Sequence, residues 1–137
     1  MKDGIAAIAL ATVLAGCVAP SVPPSPFREE GYFRDSMKNR IYSVSMGSTI
    51  SKDDILKDGM AKPFTVGQVT AAYYFEGSAT PPRDGLTLAK TFHDANRVLY
   101  EDKSISPWRY AFMRSFTGAE PSVIDCHETP EDGLCRR

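Results

Sequence analysis

The clearest hydrophobic periodicity in the chain lies between Gly85 and Asp102. Apolar residues recur there at spacings of three and four, and charged residues occupy the opposite side. This spacing matches the repeat of an α-helix that buries one face, so we expect an amphipathic helix over the segment. The apolar set is Leu88, Phe92, Ala95 and Leu99, and the polar set is Lys90, Asp94, Arg97 and Glu101.

Boundary signals predict three further helices. Each begins after a residue whose side-chain oxygen can accept a hydrogen bond from the free N–H groups of the first turn, and each is followed by a glycine placed to end it. They lie over 52–58, 66–76 and 107–117, with Ser51, Thr65 and Ser106 as the caps and Gly59, Gly77 and Gly118 as the stops. Val66 and Phe116 fall on the apolar faces of the second and third of these helices.

A strand pattern is convincing only over 40–46, where Tyr42, Val44 and Met46 alternate with Ser43 and Ser45. Because one strand cannot form a sheet, we expect a mainly α domain of about four short helices with a C-terminal disulfide loop. The alternative is an α+β domain in which 69–75 and 86–100 are strands. The polar stripe described above argues against a hairpin over 86–100.

The first 17 residues have the pattern of an export signal. Lys2 precedes an uncharged run from Ile5 to Ala15 that is too short to span a bilayer comfortably. The run ends in Leu14-Ala15-Gly16-Cys17, which resembles the lipobox of bacterial type II signal peptides, although Asp3 offsets the usual basic start. The resemblance implies that 1–16 are removed as a signal peptide and that acyl chains such as palmitate modify Cys17.

The segment that follows is expected to be a tether. Four prolines at 20, 23, 24 and 26 favour an extended conformation, and we assign 17–30 to the lipidated cysteine and a Pro-rich spacer. Residues 31–137 would then form one small globular domain held at a membrane surface. Val18 stands where enteric lipoproteins retained at the inner membrane often carry Asp. The resemblance therefore favours the periplasmic face of the outer membrane, with the inner membrane as the alternative.

A second resemblance concerns the middle of the chain, which looks like one Sel1-type repeat, a relative of the tetratricopeptide helical hairpin. The family pattern is Tyr-x-x-Gly, a loop, Asp, and then a small residue, an aromatic and Ala. The resemblance implies a helix-loop-helix unit that binds protein, although no second copy is present for it to stack on. The matching residues are Tyr74, Gly77, Asp84, Phe92 and Ala95, with Leu88 in place of the small residue.

The two remaining cysteines, Cys126 and Cys135, lie in a segment rich in turn formers. In an oxidising compartment they would close a small disulfide loop. A metal site with His127 and Glu128 is the alternative, but zinc ligand pairs usually lie two to four residues apart. The wider spacing favours the disulfide, and we expect no metal.

Composition narrows the function. With 16 basic and 17 acidic residues, the formal charge of −1 gives no long-range field that favours nucleic acid. Phosphate-loop, paired-histidine and serine-nucleophile motifs do not occur in the sequence, so we expect no cofactor and no catalysis.

The consecutive aromatics Tyr73, Tyr74 and Phe75 cannot all be buried by one helical face, so we expect at least one to point outward and bind a partner. The function favoured is a noncatalytic accessory or protein-interaction module of an envelope assembly, secretion or conjugation machine. A periplasmic binder or inhibitor of an exported enzyme, acting through the disulfide loop, is an alternative. A small hydrolase that uses His93 or His127 is another.

Overall fold

The computed structural model describes residues 16–47 and 49–135, and over these residues the chain forms a five-stranded sheet with helices packed on it. Strand order in space follows the chain, from β1 at one edge to β5 at the other. The neighbours β2 and β3 are parallel, and the other pairs are antiparallel. The elements are β1 (Phe27–Arg34), β2 (Arg40–Met46), α1 (Lys52–Ala61), β3 (Thr70–Glu76), α2 (Asp84–Thr87), α3 (Phe92–Glu101), β4 (Tyr110–Arg114) and β5 (Ser122–Asp125).

The expectation of a mainly α domain is therefore wrong, and the fold is α+β. The segments predicted as helices over 66–76 and 107–117 contain β3 and β4 instead. Both strands lie inside the sheet and are covered on both faces, so their sequences lack the alternation that identifies a half-exposed strand. Thr65 does not cap a helix. It begins a turn in which the Gln68 N–H donates to the Thr65 carbonyl (3.0 Å).

Other parts of the pattern are confirmed. Strand β2 covers 40–46, and α1 begins at Lys52 behind a capping box formed by Ser51 and Asp54. Gly59 does not end that helix. It lies against the Phe112 ring, where an added Cβ would approach Cδ2 to 2.4 Å, so the close packing of α1 on β4 requires glycine.

The amphipathic segment is helical, but it is broken into α2 and α3. Thr91 caps α3 by accepting a hydrogen bond from the Asp94 N–H (3.0 Å). The hairpin alternative for 86–100 is thereby excluded. The helix-loop-helix expected from the Sel1-type resemblance does not form either, because its first half is β3. Leu88, which was placed on the buried face, is 75% exposed.

The sheet has a hydrophobic cluster on each face. Alternating residues of β3 enter different clusters, so Tyr74 packs with Ile55 of α1 while Tyr73 packs with Leu99 of α3. The α1 face contains Tyr42, Val44, Met46, Ile55, Ala72, Tyr74, Tyr110 and Phe112. The opposite face contains Phe33, Ile41, Ala71, Tyr73, Phe75, Leu86, Ala95, Leu99, Ile105, Trp108 and Ala111.

The two ends of the sheet differ in what they connect. The chain enters at the end where Phe27 pairs with Met46 and Met46 with Glu76, which we call the tether end. The opposite end, where Arg34 pairs with Arg40 and Thr70 with Arg114, we call the distal end. Strand β1 begins at Phe27, inside the segment expected to be tether. Residues 16–26 contain no helix or strand, and the expected signal peptide lies outside the described residues apart from Gly16.

Candidate functional site

The aromatic triplet predicted to bind a partner is buried. Tyr73, Tyr74 and Phe75 are 2%, 0% and 1% exposed. Successive side chains of β3 point to opposite faces of the sheet, and helices cover both faces. The prediction of an outward-pointing aromatic is therefore wrong. It assumed one helical face, whereas a central strand of a covered sheet buries both of its sides.

The Tyr74 hydroxyl takes part in a partly buried polar network on the α1 face. It donates to Asp58 Oδ2 (2.8 Å), which also lies 3.2 Å from the Lys62 ammonium. Lys62 pairs with Glu29 of β1 as well (3.0 Å) and stands 4.8 Å above the Tyr42 ring. Burial, reinforced by the neighbouring Asp58 carboxylate, raises the pKa of Tyr74 above its ordinary value. The network joins the end of α1 to the sheet through one buried ammonium that two carboxylates share.

A buried carboxylate fixes the β1 edge. Glu30 pairs with Arg28 and Arg83 and accepts a hydrogen bond from Ser45 Oγ (2.8 Å). Burial acts to raise the pKa of Glu30, but the hydrogen bonds and the two guanidinium charges outweigh it and hold that pKa below its usual range. Next to it, Gly31 allows the loop before α2 to cross the strand, since a Cβ there would lie 2.5 Å from the Pro82 carbonyl oxygen.

Charged groups at the tether end are also satisfied by one another. Arg109 binds Asp125 through two hydrogen bonds (2.8 and 2.9 Å) and reaches Glu76 at 3.0 Å. The Asp125 side chain is 2% exposed, and its hydrogen bonds with Arg109 hold its pKa below the ordinary value against the effect of burial. A shallow depression beside this cluster is lined by Glu76, Ser78, Ala79, Ser106, Pro107, Arg109 and His127.

The predicted disulfide between Cys126 and Cys135 is formed, with the Cα atoms 5.4 Å apart. It closes a loop that follows β5 at the tether end. The Leu134 carbonyl accepts a hydrogen bond from the indole N–H of buried Trp108 (2.9 Å), and Glu128 pairs with Lys52 at the start of α1 (2.5 Å). The loop is therefore attached both to the aromatic core and to α1.

The histidines considered for catalysis lie on separate elements. His93 is exposed on α3, and His127 is exposed in the disulfide loop, where its backbone N–H donates to Asp125 Oδ1 (2.9 Å). Within residues 16–47 and 49–135, no cluster of three or more His, Cys, Asp or Glu side chains is arranged to hold a metal ion. Over the same ranges, no helix has the length and apolar composition needed to cross a bilayer.

The distal end differs from the tether end because it exposes large apolar side chains. Met37, Val66 and Phe116 are 64%, 85% and 62% exposed, and each lies at the tip of a different loop. We call this the distal surface and define it as the loop segments 35–39, 64–68 and 115–120. The loops that carry it join β1 to β2, α1 to β3, and β4 to β5.

Direct contacts hold the three loops together. The Val69 N–H donates to Asn39 Oδ1 (2.9 Å), and the Arg40 guanidinium donates to Thr65 Oγ1 (3.0 Å), which joins the first loop to the second. Arg114, at the end of β4, stands 3.9 Å above the Phe64 ring and joins the second loop to the third. The three loops that carry the exposed tips are thus joined to one another near the strand ends.

Sequence reasoning missed the distal surface because it assigned two of its residues to buried helix faces. Val66 followed the apparent cap at Thr65, and Phe116 fitted the spacing of the apolar residues after Pro107. One usable signal was present: Gly67 lies inside the helix predicted over 66–76, where glycine is unfavourable. It adopts a positive φ (82°), as expected in a turn rather than in a helix interior.

Cys17, the predicted lipidation site, is exposed and makes no disulfide among the described residues. Val18 and Val22 in the following segment are also largely exposed. Comparison of the chain with protein-family models, with curated proteins and with solved structures finds no match. The geometry of this chain is therefore the basis for the function proposed below.

Proposed function

We propose that the protein is an envelope lipoprotein, anchored through acyl chains on Cys17, whose α+β domain acts as a noncatalytic interaction module for an envelope assembly, secretion or conjugation machine. The periplasmic face of the outer membrane is the favoured location, and the inner membrane is the alternative. One observation carries the proposal. The N-terminal segment joins the sheet at the tether end, while the exposed apolar loops cluster at the opposite end.

The dimensions suit this arrangement. Residues 18–26 span about 28 Å when extended as polyproline II, at about 3.1 Å per residue. The seven residues of β2 span about 23 Å, at about 3.3 Å per residue. A domain attached in this way can stand clear of the lipid headgroups with its distal surface turned outward. Two or more acyl chains would make such an anchor lasting.

The anchor is tested by replacing Cys17 with serine in the full chain. We expect the wild-type protein to remain in the membrane fraction and to carry the added mass of acyl chains, and Cys17→Ser to move to the soluble envelope fraction. Ser21→Ala is the matched control, because it changes the same exposed segment without removing the thiol. An unmodified thiol on purified wild-type protein would contradict the proposal.

The disulfide loop supports a second candidate, a binder of an exported enzyme. The loop exposes His127, Glu128 and Pro130 and is held by the disulfide and by Trp108, so it presents a fixed shape. Deleting the loop would leave the Trp108 indole without its hydrogen-bond acceptor. The better test is therefore His127→Ala together with Pro130→Ala, which should abolish inhibition of exported hydrolases in periplasmic extract if the loop is the contact. Phe116→Ser at the distal surface serves as the control.

A further inference from the structure

We propose that the distal surface binds an acidic segment of a partner protein that inserts an apolar side chain among Met37, Val66 and Phe116. The inference rests on the proposed function, because the anchor determines which end of the domain faces away from the membrane. Beyond the proposed function, it specifies the chemistry of the partner. The partner segment carries exposed Asp or Glu residues on either side of an aromatic or aliphatic residue.

The distal surface groups three large apolar side chains. A single exposed apolar residue is ordinary on a protein surface, but loop tips are usually polar and contiguous apolar patches mark interaction sites. Here each of three neighbouring loops carries one large apolar side chain that is more than half exposed. The hydrogen bonds of Asn39 and Arg40 and the stacking of Arg114 on Phe64 connect these loops.

The first loop is held in a defined shape. Asp35 accepts hydrogen bonds from the Asn39 N–H and from the Asn39 side-chain amide (both 2.8 Å) and from the Lys38 N–H through its carbonyl (3.1 Å). Lys38 adopts φ of 72°, a left-handed conformation in which Gly or Asn is the usual residue. The turn therefore holds a long cation at its tip in a strained backbone, and such strain concentrates at functional sites. A preformed loop also loses little entropy on binding.

Charge determines the choice of partner. Among the described residues of the distal end, Arg34, Lys38, Arg40 and Arg114 are basic, and Asp35 and Glu120 are acidic. Arg34 and Lys38 are exposed, as is Glu120, whereas Asp35 and Arg114 are half-buried and Arg40 is buried. Counted with the strand-end arginines, the distal end carries four basic residues against two acidic ones, a net formal charge of +2, although the formal charge of the whole chain is −1. An acidic segment is attracted to this surface and a basic one is repelled.

Two other occupants are distinguishable by experiment. A second copy of the chain could dock head to tail, since the tether end carries Glu128, Glu131 and Asp132. An anionic bilayer could attract the same basic and apolar side chains. The partner protein is favoured because the tether leaves from the opposite end, which turns the distal surface away from both the anchoring bilayer and the tether ends of neighbouring anchored copies.

The inference is tested by panning a random-peptide phage library against the full lipidated chain, which is held in phosphatidylcholine nanodiscs. We expect the enriched peptides to be rich in Asp and Glu around an aromatic or aliphatic residue. Their affinity should fall with added salt, and should fall about tenfold for Lys38→Glu and for Phe116→Ser. Leu88→Ser and Lys103→Glu are matched controls, because both residues are exposed elsewhere, just after α2 and after α3, and they should retain wild-type affinity.

Several outcomes would overturn the inference. The enriched peptides could lack acidic residues, or acidic peptides could bind all the variants with equal affinity. Binding to phosphatidylglycerol vesicles that Lys38→Glu abolishes, without peptide binding, would assign the surface to lipid. Self-association in detergent that Lys38→Glu abolishes would assign it to a second copy. If Cys17→Ser leaves the protein in the membrane fraction while acidic peptides still bind, the proposed anchor fails and the distal surface stands.

Discussion

The two ends of the sheet carry the same kind of element, loops that join strands, but they use their charged and apolar side chains differently. At the tether end Arg109, Asp125 and Glu76 bind one another, and the loop beyond β5 is closed by a disulfide. At the distal end Arg34 and Lys38 extend into solvent beside exposed Met37, Val66 and Phe116. Side chains that bind one another within the domain stabilise the fold. Exposed side chains on a rigid scaffold are available to bind a partner.

The sharpest comparison is between two arginines at opposite ends of β4. Arg109→Ala leaves buried Asp125 without its cation, and we expect it to lower the free energy of unfolding by about 3 kcal/mol, near the bottom of the range for a broken buried pair because the guanidinium is 26% exposed. Arg114→Ala removes only the stacking on Phe64 and should cost less than about 1 kcal/mol. Urea unfolding followed by tryptophan fluorescence measures both. Equal losses would contradict the comparison.

Removal of the disulfide should have the next largest effect. With Cys126 and Cys135 both replaced by alanine, the C-terminal loop is no longer closed, and we expect a loss of about 2 to 3 kcal/mol from the larger conformational entropy of the unfolded chain. The Trp108 indole should report the change, because its hydrogen-bond acceptor Leu134 lies in the loop. Wild-type protein treated with reductant is the control and should match the variant. A variant as stable as the oxidised protein would show that the loop is held by its other contacts.

Acid should weaken the tether end specifically. The pKa of Asp125 is lower in the folded protein than in the unfolded chain, so its pairing with Arg109 contributes stability above the ordinary carboxyl pKa, and this stability is lost as the pH falls through the folded-state value. We expect the stability of the wild type to decline below about pH 4, where an unfolded-chain Asp begins to bind protons. Asp125→Asn should decline less over the same interval in unfolding titrations. Parallel curves for the two proteins would refute the assignment.

The smallest effect is expected from the apolar residues of the distal surface. Val66→Ser, Met37→Ser and Phe116→Ser remove side chains that are largely solvated already, so each should change the free energy of unfolding by less than about 0.5 kcal/mol. Ile55→Ser on the buried face of α1 is the contrasting variant and should be severely destabilised. Denaturant midpoints would show the difference. A large loss at Val66 would mean that its loop supports the fold and does not serve primarily as a contact surface.

The features predicted correctly from sequence depend on nearby residues. The cap at Ser51 identified the start of α1, and the alternation over 40–46 identified β2, whose neighbours nevertheless bury it almost completely. The spacing of Cys126 and Cys135 identified the disulfide. Each signal lies within one element or one loop, so no knowledge of the tertiary arrangement was needed.

The features that were missed depend on which segments become neighbours. Strands β3 and β4 are buried on both faces, and a covered strand cannot be distinguished from a helix by alternation alone. Arg109 and Asp125 are 16 residues apart in the sequence, and they come into contact because β4 pairs with β5. The distal surface is formed by three loops that are far apart in the chain, so no local pattern in the sequence describes it.

The arrangement of the anchor and the distal surface at opposite ends of the domain can be measured by energy transfer. A dye is placed at Ser78→Cys near the tether end or at Val66→Cys on the distal surface, in lipidated protein on vesicles that contain acceptor-labelled headgroups. Both positions are exposed and become labelling sites once Cys17 carries lipid. We expect stronger transfer from position 78 than from position 66. Equal transfer, stronger transfer from position 66, or none from either would contradict it.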